Sequence, residues 1–159
     1  MIITPEKNKN LARTLVEFAY AEYGSALEML AAAKKTKSPK LKIGYINHAL
    51  DEYRHASLIF KVLENELAKG NENFEKEYKF VPQNVVLKGY LDKEGFLIEK
   101  LKLKNFVEFV YSNEHLAKQS FESLKKRIND KNSLNILNKI ISEEEDHADF
   151  SLKKLNEIM

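Results

Sequence analysis

The sequence predicts an all-α fold: an antiparallel four-helix bundle with one long crossover between its second and third helices. Three observations carry this. Four long segments place apolar residues at helical spacing. The gaps inside the first pair and inside the second pair are short, while about 30 residues separate the pairs. Finally, both pairs carry the same chemical residues at the same separation, so the chain reads as two similar helix hairpins. At 159 residues it is long enough for one domain, 1–159, with an ordinary core and a crossover at about 71–101.

The first helix is expected from Thr4-Pro5, a capping residue followed by proline in the first turn, to about Lys35. Its inward stripe is Leu11, Leu15, Phe18, Ala26 and Met29. Ser38-Pro39 repeats the start signal, and the second helix runs to about Lys69, where Gly70 is a natural stop. The third spans about Lys102 to Ile128, with Leu103, Val107, Val110, Ala117, Phe121 and Leu124 inward. A polar turn, Asn129-Asp130-Lys131-Asn132, leads into the fourth helix, from about Ser133 to the end, with Leu137, Ile140, Ile141, Ala148 and Leu155 inward. The crossover holds Val81-Pro82-Gln83-Asn84, Gly89 and Gly95, which predicts part extended chain and part short helix.

Composition narrows the function. The 26 basic residues are balanced by 24 acidic ones, so no nucleic-acid footprint is expected. No cysteine is present, which removes disulfides, thiolate metal sites and cysteine nucleophiles; a bound metal must use nitrogen and oxygen ligands. Met1 to Asn10 lacks the apolar core of a signal peptide, and no apolar run is long enough for a transmembrane segment, so a cytoplasmic protein is the expectation.

The informative residues are acids on faces that should be apolar. Positions three, four and seven apart share a helix face. By that rule Glu22 joins the stripe of the first helix and Glu114 that of the third. Glu52 and His55 share a face with Leu41, Tyr45, Ile59 and Val62, and Glu144 and His147 share one with Leu137, Ile140, Ala148 and Leu155. The second and fourth helices thus each carry Glu-x-x-His. Glu22 precedes Glu52 by 30 residues, and Glu114 precedes Glu144 by 30.

A single Glu-x-x-His is common on solvated helices and says little. Two copies, each with a glutamate 30 residues upstream on an apolar stripe, say much more. A buried, unpaired carboxylate costs several kcal/mol, about, even after relaxation, and four together repel. Either cations sit among them or they take up protons. Two divalent ions against four carboxylates, with imidazoles completing the shell, is the ligand plan of di-iron and di-manganese bundles. The expected metal ligands are therefore Glu22, Glu52, His55, Glu114, Glu144 and His147, holding two iron ions, with manganese possible.

Glu108 is the alternative helix-three ligand, although it lies about 120° around the helix from the Val107/Val110 stripe. His48, one turn before Glu52, is expected to stand behind the ligands. His115 faces away from Glu114. Asp51 and Glu143 each precede a ligand histidine by four residues and are candidates to accept a hydrogen bond from a ligand imidazole. Tyr23 and Tyr111 lie close enough to tune the site, as does Tyr53, although packing explains these rings equally well. Arg54 points elsewhere by helix phase.

At these positions the sequence resembles the ferritin-like di-iron superfamily. The resemblance implies that Glu22 and Glu114 are terminal or bridging carboxylates, that Glu52 and Glu144 bridge the metals, and that His55 and His147 are terminal nitrogen ligands. Glu22-Tyr23-Gly24, Asp51-Glu52-x-x-His55 and Glu143-Glu144-x-x-His147 are also similar to phrases of the demethoxyubiquinone hydroxylases, whose spacing to the last helix favours Glu108. Rubrerythrins carry a cysteine-ligated iron that this chain cannot hold, and Tyr111 stands where their extra acidic ligand would be.

The function expected from the resemblance is a non-haem di-iron oxidoreductase that activates dioxygen, an oxygenase or hydroxylase of a small organic substrate, with an external electron donor. Gly24, Ser25, Ala26 and Ala56 would open space beside the metals, and the crossover would cover it. The alternatives are ferroxidase, iron-handling or rubrerythrin-like peroxide-reducing activity, and a non-enzymatic helical interaction module. A homodimer is compatible with any of them.

Overall fold

The computed structural model describes residues 5–67 and 78–158. Four long helices dominate: α1, Pro5–Lys35; α2, Pro39–Leu67; α5, Leu103–Lys125; and α6, Lys131–Ile158. Two one-turn helices, α3 at Asn84–Leu87 and α4 at Leu97–Lys100, lie in the crossover. There is no strand among the described residues. The predicted start at Thr4 and stop at Gly70 lie outside the described residues.

α1 packs along α2, and α5 along α6, while α2 and α6 join the two hairpins. Local chemistry sets the turns. Pro5 and Pro39 open their helices, where a missing N–H leaves nothing unpaired. The Ser38 hydroxyl accepts from the Leu41 N–H at 3.4 Å, and the Asp130 carboxylate accepts from the Ser133 N–H at 2.8 Å. Asp130 is thus the cap of α6, which begins at Lys131 rather than Ser133. α5 likewise ends at Lys125, short of the predicted Ile128.

The core forms two bodies on either side of the acidic belt. One holds Leu11, Leu15, Ile59, Leu63, Phe121, Leu124, Leu137 and Ile140; the other holds Met29, Ala32, Leu41, Tyr45, Phe106 and Val110. The predicted stripes are largely the buried faces, with one correction: Leu103 is exposed. It is the first residue of α5, where Phe106 and Val107 have already taken the inward phase.

The crossover is tied to α1 by polar anchors. The buried Tyr20 hydroxyl accepts from the Val81 N–H at 3.0 Å, and the buried Glu28 carboxylate accepts from the Leu97 N–H at 2.9 Å. Phe80 stacks on Tyr20 and meets Tyr23 edge-on. At Gly24 a Cβ would come within 2.8 Å of the Tyr90 carbonyl oxygen, so only glycine admits the crossover backbone this close.

Candidate metal centre

Between the two core bodies, Glu22, Glu52, His55, Glu114, Glu144 and His147 converge and all are buried. Each comes from the inward face of a long helix, so their helix phase brings them to one level. Two overlapping donor sets result. Glu22, Glu52, His55 and Glu144 offer one atom each within 4.8 Å of one another; so do His48, Glu52, Glu114 and His147. Glu52 belongs to both.

Glu108, by contrast, is exposed, in keeping with its helix phase. His115 is also exposed, and its ring meets that of Tyr111 edge-on at 4.7 Å, away from the cluster. Tyr23 and Tyr53 meet edge-on around a separate apolar cavity that Ala56 and Phe80 also line and that no cluster glutamate lines.

The histidine orientations are set from outside the cluster. His147 Nε2 lies 2.9 Å from Asp51 Oδ2, and His55 Nε2 lies 3.1 Å from Glu143 Oε2. An ionised carboxylate only accepts, so each Nε2 carries the proton and donates it. Each Nδ1 is then left to face the cluster, the tautomer a metal ligand needs. The pairing is crossed: the acid of each hairpin holds the histidine of the other. Arg54 closes the arrangement, donating to Asp51 at 2.8 Å and to Glu143 at 2.9 Å. Its helix phase does take it away from the cluster, but it reaches both carboxylates that steady the histidines. Asp51 is one turn back on α2, but Glu143 lies on the other hairpin, which is why spacing along α2 gave no sign that Arg54 joins the two acids.

The interior side shows the opposite condition. Glu22 Oε2, Glu52 Oε1, His55 Nδ1, Glu114 Oε2, both Glu144 oxygens and His147 Nδ1 are buried with no hydrogen-bond partner; the Tyr45 hydroxyl is the other such atom among the described residues. Leaving a buried polar group unpaired costs about 1–3 kcal/mol, so seven facing one space form a set that a cation completes. Their spacing agrees. Donors about 2.1 Å from a common ion stand roughly 3.0–3.4 Å apart. The separations bracket that range: His147 Nδ1 lies 3.2 Å from Glu52 Oε1, 3.5 Å from Glu114 Oε2 and 3.9 Å from Glu144 Oε1, while His55 Nδ1 lies 2.9 Å from Glu144 Oε1, 3.6 Å from Glu52 Oε1 and 3.7 Å from Glu22 Oε2.

Without cations, protons settle the charge. Burial, then the Glu52 carboxylate, raises Glu22 well above the ordinary carboxyl range. Burial, then the charges of Glu22 and Glu52, does the same to Glu144. Burial also works to raise Glu52, but its contacts with Glu22, His147, His48 and His55 outweigh it and hold Glu52 well below. For Glu114, burial and the Glu52 charge are outweighed by Glu144, His147 and His48, and the net shift is downward. Burial opposes charge on the histidines, yet Glu144 and Glu52 push His55 up to about 10, and Glu114 and Glu52 push His147 up to about 11. His48 is raised as well, by Glu114 and Glu52 against the opposing effect of burial. The metal-free cluster therefore favours holding protons on Glu22, Glu144 and the histidines, while Glu52 and Glu114 favour the charged form. Cations would replace those protons.

A cavity of about 190 Å³ opens onto the cluster between α1 and α5. Its walls include all four glutamates together with Ser25, Asn113, Ala117 and Phe121. Ala21, Ser25, Asn113 and Glu114 also line a second cavity of about 260 Å³, walled by Met29, Phe106, Phe109 and Val110 and by Tyr90 and Leu97 of the crossover. Of the small residues expected to open space, Ser25 does so. Gly24 instead receives the crossover, Ala26 is fully buried and lines neither cavity, and Ala56 lines the cavity beside Tyr23 and Tyr53. No helix among the described residues is long and apolar enough to cross a membrane.

No family model matches the chain, and no curated protein matches its sequence. Among solved structures it is similar to KatB, a manganese catalase from Anabaena PCC7120, with a TM-score of 0.67 and 17% identity over 99% of this chain and 76% of that one. The likeness is one of fold and gives no support to the narrower hydroxylase resemblance. The chain has a ferritin-like fold, and its buried glutamates and histidines fit a di-metal site that allows iron or manganese.

Proposed function

We propose that the protein is a di-metal oxidoreductase that uses dioxygen to oxidise a small apolar organic molecule. Glu22, Glu52, Glu114, Glu144, His55 and His147 are its metal ligands in this reading. The observation that carries it is a pair of neighbouring cavities whose walls share Ala21, Ser25, Asn113 and Glu114. The inner one touches all four glutamates, and the outer one is walled by Met29, Phe106, Phe109 and Val110. Together they offer far more room than dioxygen or peroxide needs, since a water takes up only about 30 Å³ of liquid.

Two redox-active ions held by these residues would supply two electrons to dioxygen, and an external electron donor would return them for the next turnover. The remaining tasks belong to side chains. Asp51 and Glu143 hold the imidazoles so that Nδ1 faces inward, and Arg54 keeps both acids in place. Phe18, Phe121 and Ala117 limit water at the inner cavity, and the outer cavity receives an apolar molecule from beneath the crossover.

The test follows oxygen consumption by the reduced, iron-loaded protein while small apolar compounds are added. Stimulation by one of them with formation of an oxygenated product is the expected result. Ser25→Phe, which puts a ring into the wall that both cavities share, should abolish the stimulation. Consumption that no organic compound changes would overturn this reading.

A second reading is peroxide disproportionation, favoured by the similarity to a manganese catalase. It predicts oxygen release from added hydrogen peroxide by the metal-loaded protein, and little effect of Ser25→Phe, because peroxide is small enough to pass.

A further inference from the structure

The two halves of the centre differ at one buried position. Residues 92 apart correspond: Glu22 with Glu114, Glu52 with Glu144, His55 with His147. One turn before Glu52 stands His48; one turn before Glu144 stands Ile140. Both are buried, but only His48 brings a donor atom. Its Nε2 lies 3.0 Å from Glu114 Oε1 and 3.6 Å from Glu52 Oε1, and its ring stacks on that of His147 with centroids 3.8 Å apart. These separations match those of donors around one ion, as they do for the six predicted ligands.

We propose that His48 is a seventh metal ligand, through Nε2, and that it makes the two metal positions unequal. The inference rests on the di-metal reading. The position at His48, Glu52, Glu114 and His147 would offer two nitrogens and two oxygens; the position at Glu22, Glu52, His55 and Glu144 would offer one nitrogen and three oxygens. Imidazole favours the later divalent metals of the first row, whereas an oxygen-rich set suits manganese nearly as well. The His48 position therefore binds Co(II) or Fe(II) before the His55 position does, and the gap between them narrows with Mn(II).

The experiment titrates the metal-free full-length protein anaerobically with Co(II). Calorimetry and visible absorption follow binding, and proton NMR counts the strongly shifted ring N–H signals of coordinated imidazoles. Two equivalents should bind in separate steps, about tenfold or more apart in Kd, with three shifted N–H signals at saturation. His48→Ile, which copies the residue at the matching position of the other half, should weaken one equivalent by about tenfold or more. It should also remove one N–H signal and leave the other step unchanged. His48→Gln keeps a hydrogen-bond donor for Glu114 without an imidazole. If His48 only positions Glu114, this variant will bind like the wild type, and the proposal is overturned. Two shifted signals in the wild type, or two equivalents binding with one affinity, overturn it while leaving the di-metal reading standing. Less than one equivalent of Co(II) bound by the wild type overturns both.

Discussion

The two hairpins supply the same set of glutamates and histidines, yet their outer surroundings differ. On α1, Gly24 is pressed against Tyr90, Tyr20 is pinned to Val81, and Glu28 holds Leu97, so the crossover roofs this helix. At the matching positions of α5 stand Leu116, Ser112 and Ser120, all exposed. On α2, Arg54 clamps both outer acids, while its counterpart Asp146 on α6 is exposed. Apart from His48, whose counterpart is Ile140, the two halves thus share the residues that face the cluster and differ in what supports them. Inward geometry is set by helix phase, which a repeat copies faithfully. Support is set by whatever packs outside, and the polar anchors of the crossover, Tyr20 to Val81 and Glu28 to Leu97, are both on α1.

The largest effect should come from removing what both halves share. Glu52 lies in both donor sets. Glu52→Ala is therefore expected to lower bound metal from near two per chain to well under one, whereas Glu22→Ala should leave about one. Metal analysis of the purified variants checks this, and equal losses would break the distinction between shared and private ligands.

Next comes the clamp. Arg54→Met frees both Asp51 and Glu143, so both positions should weaken, by about 10–100-fold in affinity. Asp51→Asn should affect chiefly the His147 position, and Glu143→Gln the His55 position, because the hydrogen bonds cross between hairpins. Competition with a chelator during loading reads both effects.

Acidity should separate the metal-free from the loaded protein. In the metal-free protein Glu22 and Glu144 are raised, and His55 and His147 are raised to about 10 and about 11. For the histidines this contribution to stability is fully present below their unfolded value and is lost as pH rises through 10 to 11. The raised carboxyls act in the same direction: the folded state holds more protons, so stability falls as pH climbs above their unfolded value. Metal-free Tm should therefore decline from neutral toward alkaline pH, and that of the loaded protein should decline less. Metal affinity should rise with pH over the same window, with protons released on loading. Thermal melts, and calorimetry in buffers of different ionisation enthalpy, test the two parts.

The smallest effects concern the roof. Gly24→Val forces the Tyr90 carbonyl away and should destabilise by about 1–3 kcal/mol. Leu116→Ser, at the exposed counterpart, should stay within about 0.5 kcal/mol. Chemical denaturation compares them, and a roof that matters equally for both helices would equalise the two values.

Much of this was legible in the sequence. The four helices follow from apolar spacing and from Pro5 and Pro39, all local signals. The last helix starts two residues before the expected Ser133, because Asp130, expected as part of the turn, caps it. The clustering of Glu22, Glu52, His55, Glu114, Glu144 and His147 follows from helix phase and the doubled 30-residue interval, and phase also separated Glu114 from Glu108. Leu103 was misjudged because a stripe, read alone, does not say where its first turn frays into solvent.

The sequence by itself determined which residues face inward, because an α-helix fixes its own phase at 3.6 residues per turn. It also named Asp51 and Glu143 as the acids behind the histidines. Only the tertiary structure decided that each acid serves the histidine of the opposite hairpin, that Arg54 joins them, that His48 reaches Glu114, and that the crossover is anchored on α1 through Tyr20 and Glu28. Those are contacts between helices, and they depend on the height, tilt and distance at which the hairpins dock, which no periodicity within one helix records.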